Sequence, residues 1–543
     1  MSKLYTVIIL MLVSVFANAG GFGRLGIQLE VAGSYHTGVF DEGAAEVVAY
    51  DRYSGRVFVV NANDASIDVL DISNPDVPEK VASISAAELG ASANSVAVHG
   101  GLVAVAIEAE NKQDNGVVAF YSSFTLELLS VIDAGALPDM VAFSPNGRYV
   151  LVANEGEPND DYDIDPEGSV TIIDIKKGIK NAVVKQVGFD KFNDKKDELI
   201  AAGVRIFGPN ATVAQDLEPE YITVDKRSRT AFVALQENNA IARINLRKAE
   251  VEKIMPLGFK DHSVEGNELD VSNKDKEINI KSWPVYGMYQ PDSIASYSFR
   301  GKTYIVTANE GDSRDYDGFG EEERVADVEL DAEVFPNAEE LQDKKKLGRI
   351  KITTSMGDID GDGDFDRLYT YGGRSFSIFD EDGKLVYDSG SDFARIVAEQ
   401  IPEYFNSNND SNDSFDSRSD DKGIEPEGLA VGKIFGSTYA FIGLERMGGI
   451  MVYDITNPAR PEFLQYLNNR DFSEPACLLM DDDEECITGA GSANPAAGDL
   501  APEGITFVPW HQSPTWEPLL IVGNEVSGST TVYRIKLAFK WEK

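Results

Sequence analysis

The sequence predicts an all-β protein, a seven-bladed β-propeller with loop insertions and a short helix. Three observations carry that expectation. The first is an internal copy: "IDVLDISNPDVPEKVASI" at 67–84 returns as "IMVYDITNPARPEFLQYL" at 450–467, with Asn74-Pro75 matching Asn457-Pro458 and Pro78-Glu79 matching Pro461-Glu462. A repeat of this length marks one supersecondary unit used more than once. The second is what precedes each copy, two short alternating apolar runs separated by turn residues, so that the unit reads as a four-stranded blade. The third is composition: 43% apolar residues with 48 Gly and 22 Pro describe a folded, turn-rich chain.

Seven units follow in order. Their first strands open at Glu46, Asn94, Pro138, Pro219, Pro291, Pro426 and Pro502, and their second strands include "RVFVVNAN", "YVLVANEG", "TYIVTANEG" and "LLIVGNEV". The first two steps suit a bare blade; the later ones carry insertions at about 189–216, 257–290, 312–371, 406–423 and 473–500. "DKKDELIAAG" in the first insertion predicts the helix, stopped at Gly203. The low-complexity stretch "NSNNDSNDSFDSRSDDKG" (406–423) is expected to be mobile. An uncovered blade exposes its edges, so the ring must close. Because the last unit supplies only three strands, "RLGIQLEVAGSYH" (24–36) is expected to be its fourth, and 20–543 to be a single propeller domain.

Residues 1–19 read as a secretory signal peptide: Lys3, an apolar run from Leu4 to Phe16, and a cleavage signature ending at Ala19. With no second apolar stretch, no transmembrane segment is expected, and the location is extracytoplasmic, periplasmic or secreted. In that oxidising setting Cys477 and Cys486 are expected to form a disulfide around an acidic loop. The net charge of −42 and pI near 4.4 argue against nucleic acid and anionic membrane as partners and favour divalent cations, Ca²⁺ first. A solvated acidic surface accounts equally well for the bulk of these charges.

The unit pattern gives the acidic residues an order. Asp139, Glu220, Asp292, Glu427 and Glu503 stand at the same place at the start of five first strands, with Glu46 and Asn94 in the other two. First strands of a propeller line its axis, so these side chains are expected to form a ring. A second set closes the second strands: Asn61, Glu108, Glu155, Glu237, Glu310, Glu445 and Glu525. Like charges gathered at one mouth repel unless they are protonated or bridged by a cation. The expectation is bound Ca²⁺ held by members of both sets; the alternative is a hydrated funnel whose glutamates bond backbone amides.

A separate calcium loop is expected at "GDIDGDGDFD", where Asp358, Asp360, Asp362, Asp364 and Asp366 alternate and Gly361 and Gly363 allow the bend. No nucleophile elbow, phosphate loop or dinucleotide fingerprint is present, and His36, His99, His262 and His511 read as structural. No catalytic residue is assigned.

Long phrases, among them "GVRIFGPNATVAQDLEPEYITV" (203–224), "YIVTANEGDSRDYDGFGEEERV" (304–325) and "GIEPEGLAVG" (423–432), resemble the choice-of-anchor I family of exported bacterial proteins. That family is similar to mesenchyme-specific cell-surface glycoproteins and, distantly, to phytase esterase-like propellers. The resemblance implies an exported propeller. Two functions follow as expectations. One is a calcium-binding, surface-associated binding module for a cell-surface ligand. The other is a calcium-dependent phosphoesterase of the alkaline phosphatase or phytase-like kind, acting on a phosphorylated small molecule, with Arg314 or Arg446 receiving the phosphate.

Overall fold

The computed structural model describes residues 24–481 and 485–540; the expected signal peptide lies outside them. The described residues hold seven four-stranded antiparallel sheets, numbered 1 to 7 here in chain order. Their first strands are Val48–Asp51, Ala93–His99, Pro138–Phe143, Ile222–Val224, Ile294–Phe299, Pro426–Ile434 and Pro502–Val508. Second strands are buried on both faces, as in Tyr149–Asn154 and Leu519–Asn524, which is why they read as unbroken apolar runs.

The cores lie between sheets. Phe58 and Val103 belong to one cluster between sheets 1 and 2, and Leu151 and Ala231 to another between sheets 3 and 4. The series continues around the molecule to a seventh cluster, where Val57 and Val59 of sheet 1 pack with Leu519 and Ile521 of sheet 7. Each first strand touches the next, and that of sheet 7 touches that of sheet 1, so the innermost strands close a ring.

Sheet 7 is completed from far away. Arg24–His36 pairs antiparallel with Ser529–Lys540, Leu29 opposite Ile535. The expected helix is present at Lys196–Ala202, closed by Gly203 at φ 100°. A longer one, Asp392–Gln400, gave no comparable signal and packs through Phe393 and Val397.

Two insertions join. Phe259–Asp261, Tyr286–Met288 and Tyr369–Thr370 form one mixed sheet, and Trp283, Val285, Phe335 and Ile350 share a core outside the seven sheets. The insertion at 406–423, expected to be mobile, is instead packed. Asn406 donates to Ser419 Oγ at 2.7 Å, Ser419 to Asp416 at 2.6 Å, and Arg418 pairs with the buried Glu425 at 2.6 Å. These hydrogen bonds and ion pairs let a chain with few apolar residues become buried, although Asn406 Oδ1, Ser407 Oγ and Asp416 Oδ2 among others are left without a partner. Cys477 and Cys486 are bonded, with Cα atoms 5.8 Å apart. No helix of the described residues is long and apolar enough to cross a membrane.

Candidate functional site

A shared local device aims the first carboxylate set. In sheets 3, 6 and 7 the pairing register slips between Pro138 and Val141, Pro426 and Leu429, and Pro502 and Ile505. Each slip is a bulge containing Asp139, Glu427 or Glu503, and a bulge turns a side chain off the ladder. The residue before the proline takes a left-handed backbone at Leu137, Gln290, Glu425 and Ala501, with φ from 41° to 58°. Branched and long side chains resist that conformation, and its recurrence at one place points to a common role. The role is visible in the hydrogen bonds. The carbonyls of Leu137, Glu425 and Ala501 accept from the backbone N–H of Glu155, Glu445 and Glu525 at 2.8–2.9 Å, fastening the second carboxylate set to the first.

Buried asparagines hold the second set from the other side. Asn154 donates to Thr171 Oγ1 at 2.9 Å, Asn309 to Ser377 Oγ at 2.7 Å and Asn524 to Ser529 Oγ at 3.1 Å. Each ties the end of a second strand to the third strand one residue before the glutamate.

Nine of the twelve carboxylates fall into three groups, with Glu46, Glu108 and Glu525 outside them. Oxygens of Glu155, Glu220 and Glu237 lie within 4.8 Å of one another, and so do those of Glu310, Glu427 and Glu445. Asp139, Asp292 and Glu503 line an axial cavity of about 400 Å³ with Tyr221 and Met140. Burial, reinforced by neighbouring carboxylates, raises Glu155, Glu220, Glu427 and Glu503 well above the usual carboxylate range. The same causes push Asp139 up to about 7 and Asp292 to about 8. Glu525 is raised by burial and then by Asp41. Glu220 is 7% exposed, and no N–H or hydroxyl group reaches either of its carboxylate oxygens; its side-chain partner is another carboxyl, that of Glu237. A carboxylate so placed either keeps its proton or meets a cation.

The aspartate loop brings Asp358, Asp360 and Asp366 together, and Asp364 and Asp366 with Asp331. Asp362 belongs to neither triad; it accepts from the N–H of Asp364 at 3.3 Å. Gly361 and Gly363 adopt φ of 80° and 101°, and both N–H groups donate to Asp358. Asp331 escaped sequence reasoning because it arrives through a bridge between Leu330 and Phe365, remote from the motif.

Arg314 is not placed as expected. Its side chain is 1% exposed, with Asp216 and Glu218 each 2.9 Å away and the Asp216 carbonyl 2.8 Å away. Its guanidinium therefore joins two insertions and presents nothing to a phosphate. Arg446 stands at the mouth, on Glu425 and Glu445 at 3.1 Å and Asn409 at 2.9 Å. Lys422, which sequence reasoning passed over inside the low-complexity stretch, reaches Glu310 at 2.6 Å.

Residues 46–458 match the Choice-of-anchor I domain. The chain belongs to the choice-of-anchor I family. Among its relatives, Gigasin-3a of Magallana gigas is 32% identical over 201 residues, 36% of this choice-of-anchor I chain and 67% of the relative. The Mesenchyme-specific cell surface glycoprotein of Strongylocentrotus purpuratus is 27% identical over 316 residues, 50% of this chain and 40% of that one. The chain thus spans two thirds of the first relative and less than half of the second. Among solved structures, the Cps50 (Swd1) beta-propeller domain of Myceliophteria thermophila superposes with a TM-score of 0.43 at 8% identity, over 93% of this chain and 99% of that one.

Proposed function

We propose that this chain is a seven-bladed β-propeller acting outside the cytoplasm as a surface-associated binding module, and that Ca²⁺ bridges carboxylates at the mouth of its axial channel. One observation carries the metal reading: Glu220 is buried among acids, with no N–H or hydroxyl group on either oxygen and only the carboxyl of Glu237 as a partner. Calcium takes oxygen ligands alone, at about 2.3–2.6 Å, and the three oxygens of each triad lie close enough together for one ion to touch them all. The aspartate loop is a second calcium position that would fix the insertion. Arg314 lends no support to phosphate binding, since its donors face Asp216 and Glu218.

The test is thermal melting in calcium and in chelator, with turnover assayed on an aryl phosphate and on phytate. Calcium should raise the melting temperature, by less in Glu220→Gln, with no phosphate release. An unchanged melting temperature would remove the metal from this reading. Calcium-dependent turnover would replace the binding module with the phosphoesterase.

A further inference from the structure

The two triads at the mouth look alike in sequence and differ in what already neutralises them. At Glu310, Glu427 and Glu445 the chain supplies its own cations. Lys422 Nζ lies 2.6 Å from Glu310 Oε1, and Gln236 donates to Glu310 Oε2 at 3.0 Å. Glu445 accepts from Asn409 at 3.0 Å and pairs with Arg446 at 3.1 Å. Only Glu427 keeps an oxygen with no partner. Lys422 is itself held, 3.4 Å from the fully buried Glu425, with its side chain 14% exposed.

At Glu155, Glu220 and Glu237 nothing equivalent is present. Among the described residues no lysine or arginine pairs with any of the three, although their oxygens crowd as closely as in the other triad. Two arginines come near and neither pairs with the triad's carboxylates: Arg205 donates to the backbone carbonyl of Glu237 at 2.6 Å and pairs with Glu321, and Arg314 is turned onto Asp216 and Glu218. Glu220 has two buried oxygens, and Glu237, 8% exposed, has one, Oε2, that no N–H or hydroxyl group reaches. The one side-chain partner Glu220 has is the carboxyl of Glu237, which can satisfy it only while a proton is held between them. Each such atom left unpartnered is costly, more so when charged.

We propose that the mouth takes up one divalent cation, at Glu155, Glu220 and Glu237, and that the ammonium of Lys422 is the built-in cation of the Glu310, Glu427 and Glu445 triad. This rests on the reading of the mouth as a calcium site and specifies which half of it binds. A tethered ammonium has no translational freedom to lose, so a free ion entering the second triad must displace a buried ion pair and gains little. At the first triad a divalent ion meets no competitor. The low-complexity insertion thereby acquires a purpose, since it carries Lys422 to the rim and holds it there through Arg418, Asp421 and Glu425.

The proposal is tested by isothermal titration of the full mature protein with CaCl2 after chelator treatment, counting sites. Glu220→Gln should remove one site from the wild-type count, whereas Glu427→Gln should leave the count unchanged. Lys422→Met should add one site, and adding Glu427→Gln to Lys422→Met should take it away again. Loss of a site in Glu427→Gln, or no gain in Lys422→Met with its near-ultraviolet circular dichroism intact, overturns the assignment of Lys422. If Lys422→Met does not fold, Glu427→Gln alone decides between the two outcomes. No change in count on Glu220→Gln overturns the calcium reading of the mouth itself, a result distinct from the other two.

Discussion

Replacing Arg314 by methionine should be among the most damaging single changes available in this chain. The guanidinium is 1% exposed and sits 2.9 Å from Asp216 and 2.9 Å from Glu218, whose side chains are 0% and 1% exposed. It also lies over the ring of Phe207, 4.5 Å from the centroid, a ring that Arg205 approaches as well, at 4.0 Å. An exposed ion pair is worth about 0–1 kcal/mol. Removing one partner of a buried pair costs about 3–5 kcal/mol, because a buried charge is left behind, and here two carboxylates lose one cation. The lost contact with Phe207 adds about 1 kcal/mol. Urea unfolding at pH 7 should therefore show a loss of about 4–6 kcal/mol, the sum of these two terms. Adding Asp216→Asn and Glu218→Gln to Arg314→Met removes the stranded charges and should recover at least half of it. A loss under about 1 kcal/mol, or no recovery in the triple variant, would refute the claim that this buried pair joins the insertions.

Three further outcomes are expected. Burial, with Lys260 nearby, pushes His262 down to about 3. The neutral ring therefore contributes stability that is full above its unfolded pKa near 6.5 and declines as pH falls, by about 2 kcal/mol at pH 5. The stability difference between wild type and His262→Gln should narrow by that amount between pH 7.5 and pH 5 in urea titrations. Replacing Cys477 and Cys486 with serine opens a loop with a sequence separation of 9, worth at most about 3 kcal/mol by chain entropy, and should speed hydrogen exchange at Gly489–Ala490 while leaving sheets 3 to 5 protected. Leu29→Ala, at a side chain 2% exposed between sheets 6 and 7, should cost about 2–4 kcal/mol and increase light scattering on heating, as the edge of Ser529–Lys540 loosens.

Five of the seven sheets were legible because each is local: an alternating or continuous apolar run, a turn, and the next run, all within a few tens of residues; sheet 5, interrupted between Asn309 and Ser375, and sheet 7, completed by Arg24–His36, were legible because the repeated unit shows which strand is missing. The carboxylate sets were legible for the same reason, since a repeated unit fixes equivalent positions without knowledge of neighbours. What escaped is non-local. The partners of Arg314 lie at Asp216 and Glu218, at the end of another insertion and just beyond it, so its place after a second strand gave the wrong impression of an open donor. Lys422 stands in a stretch whose composition resembles a loose linker; only its neighbours Arg418 and Glu425 show that ion pairs tie the stretch down. The shared core of Trp283, Phe335 and Ile350 left no period to read, because most of the backbone carrying it is irregular. The sorting of acids into two triads and an axial group depends on bulges at Pro138, Pro426 and Pro502, visible only once strands are paired.

The pairing of Leu29 with Ile535 also bears on the order in which the molecule can be made. A chain threaded through a pore from its leading end delivers one half of this sheet at the start and the other at the finish. Until the trailing segment emerges, Val57 and Val59 have no Leu519 or Ile521 to cover them. Completion is then a single late event, and a truncated product is left with a greasy flank open to whatever it meets.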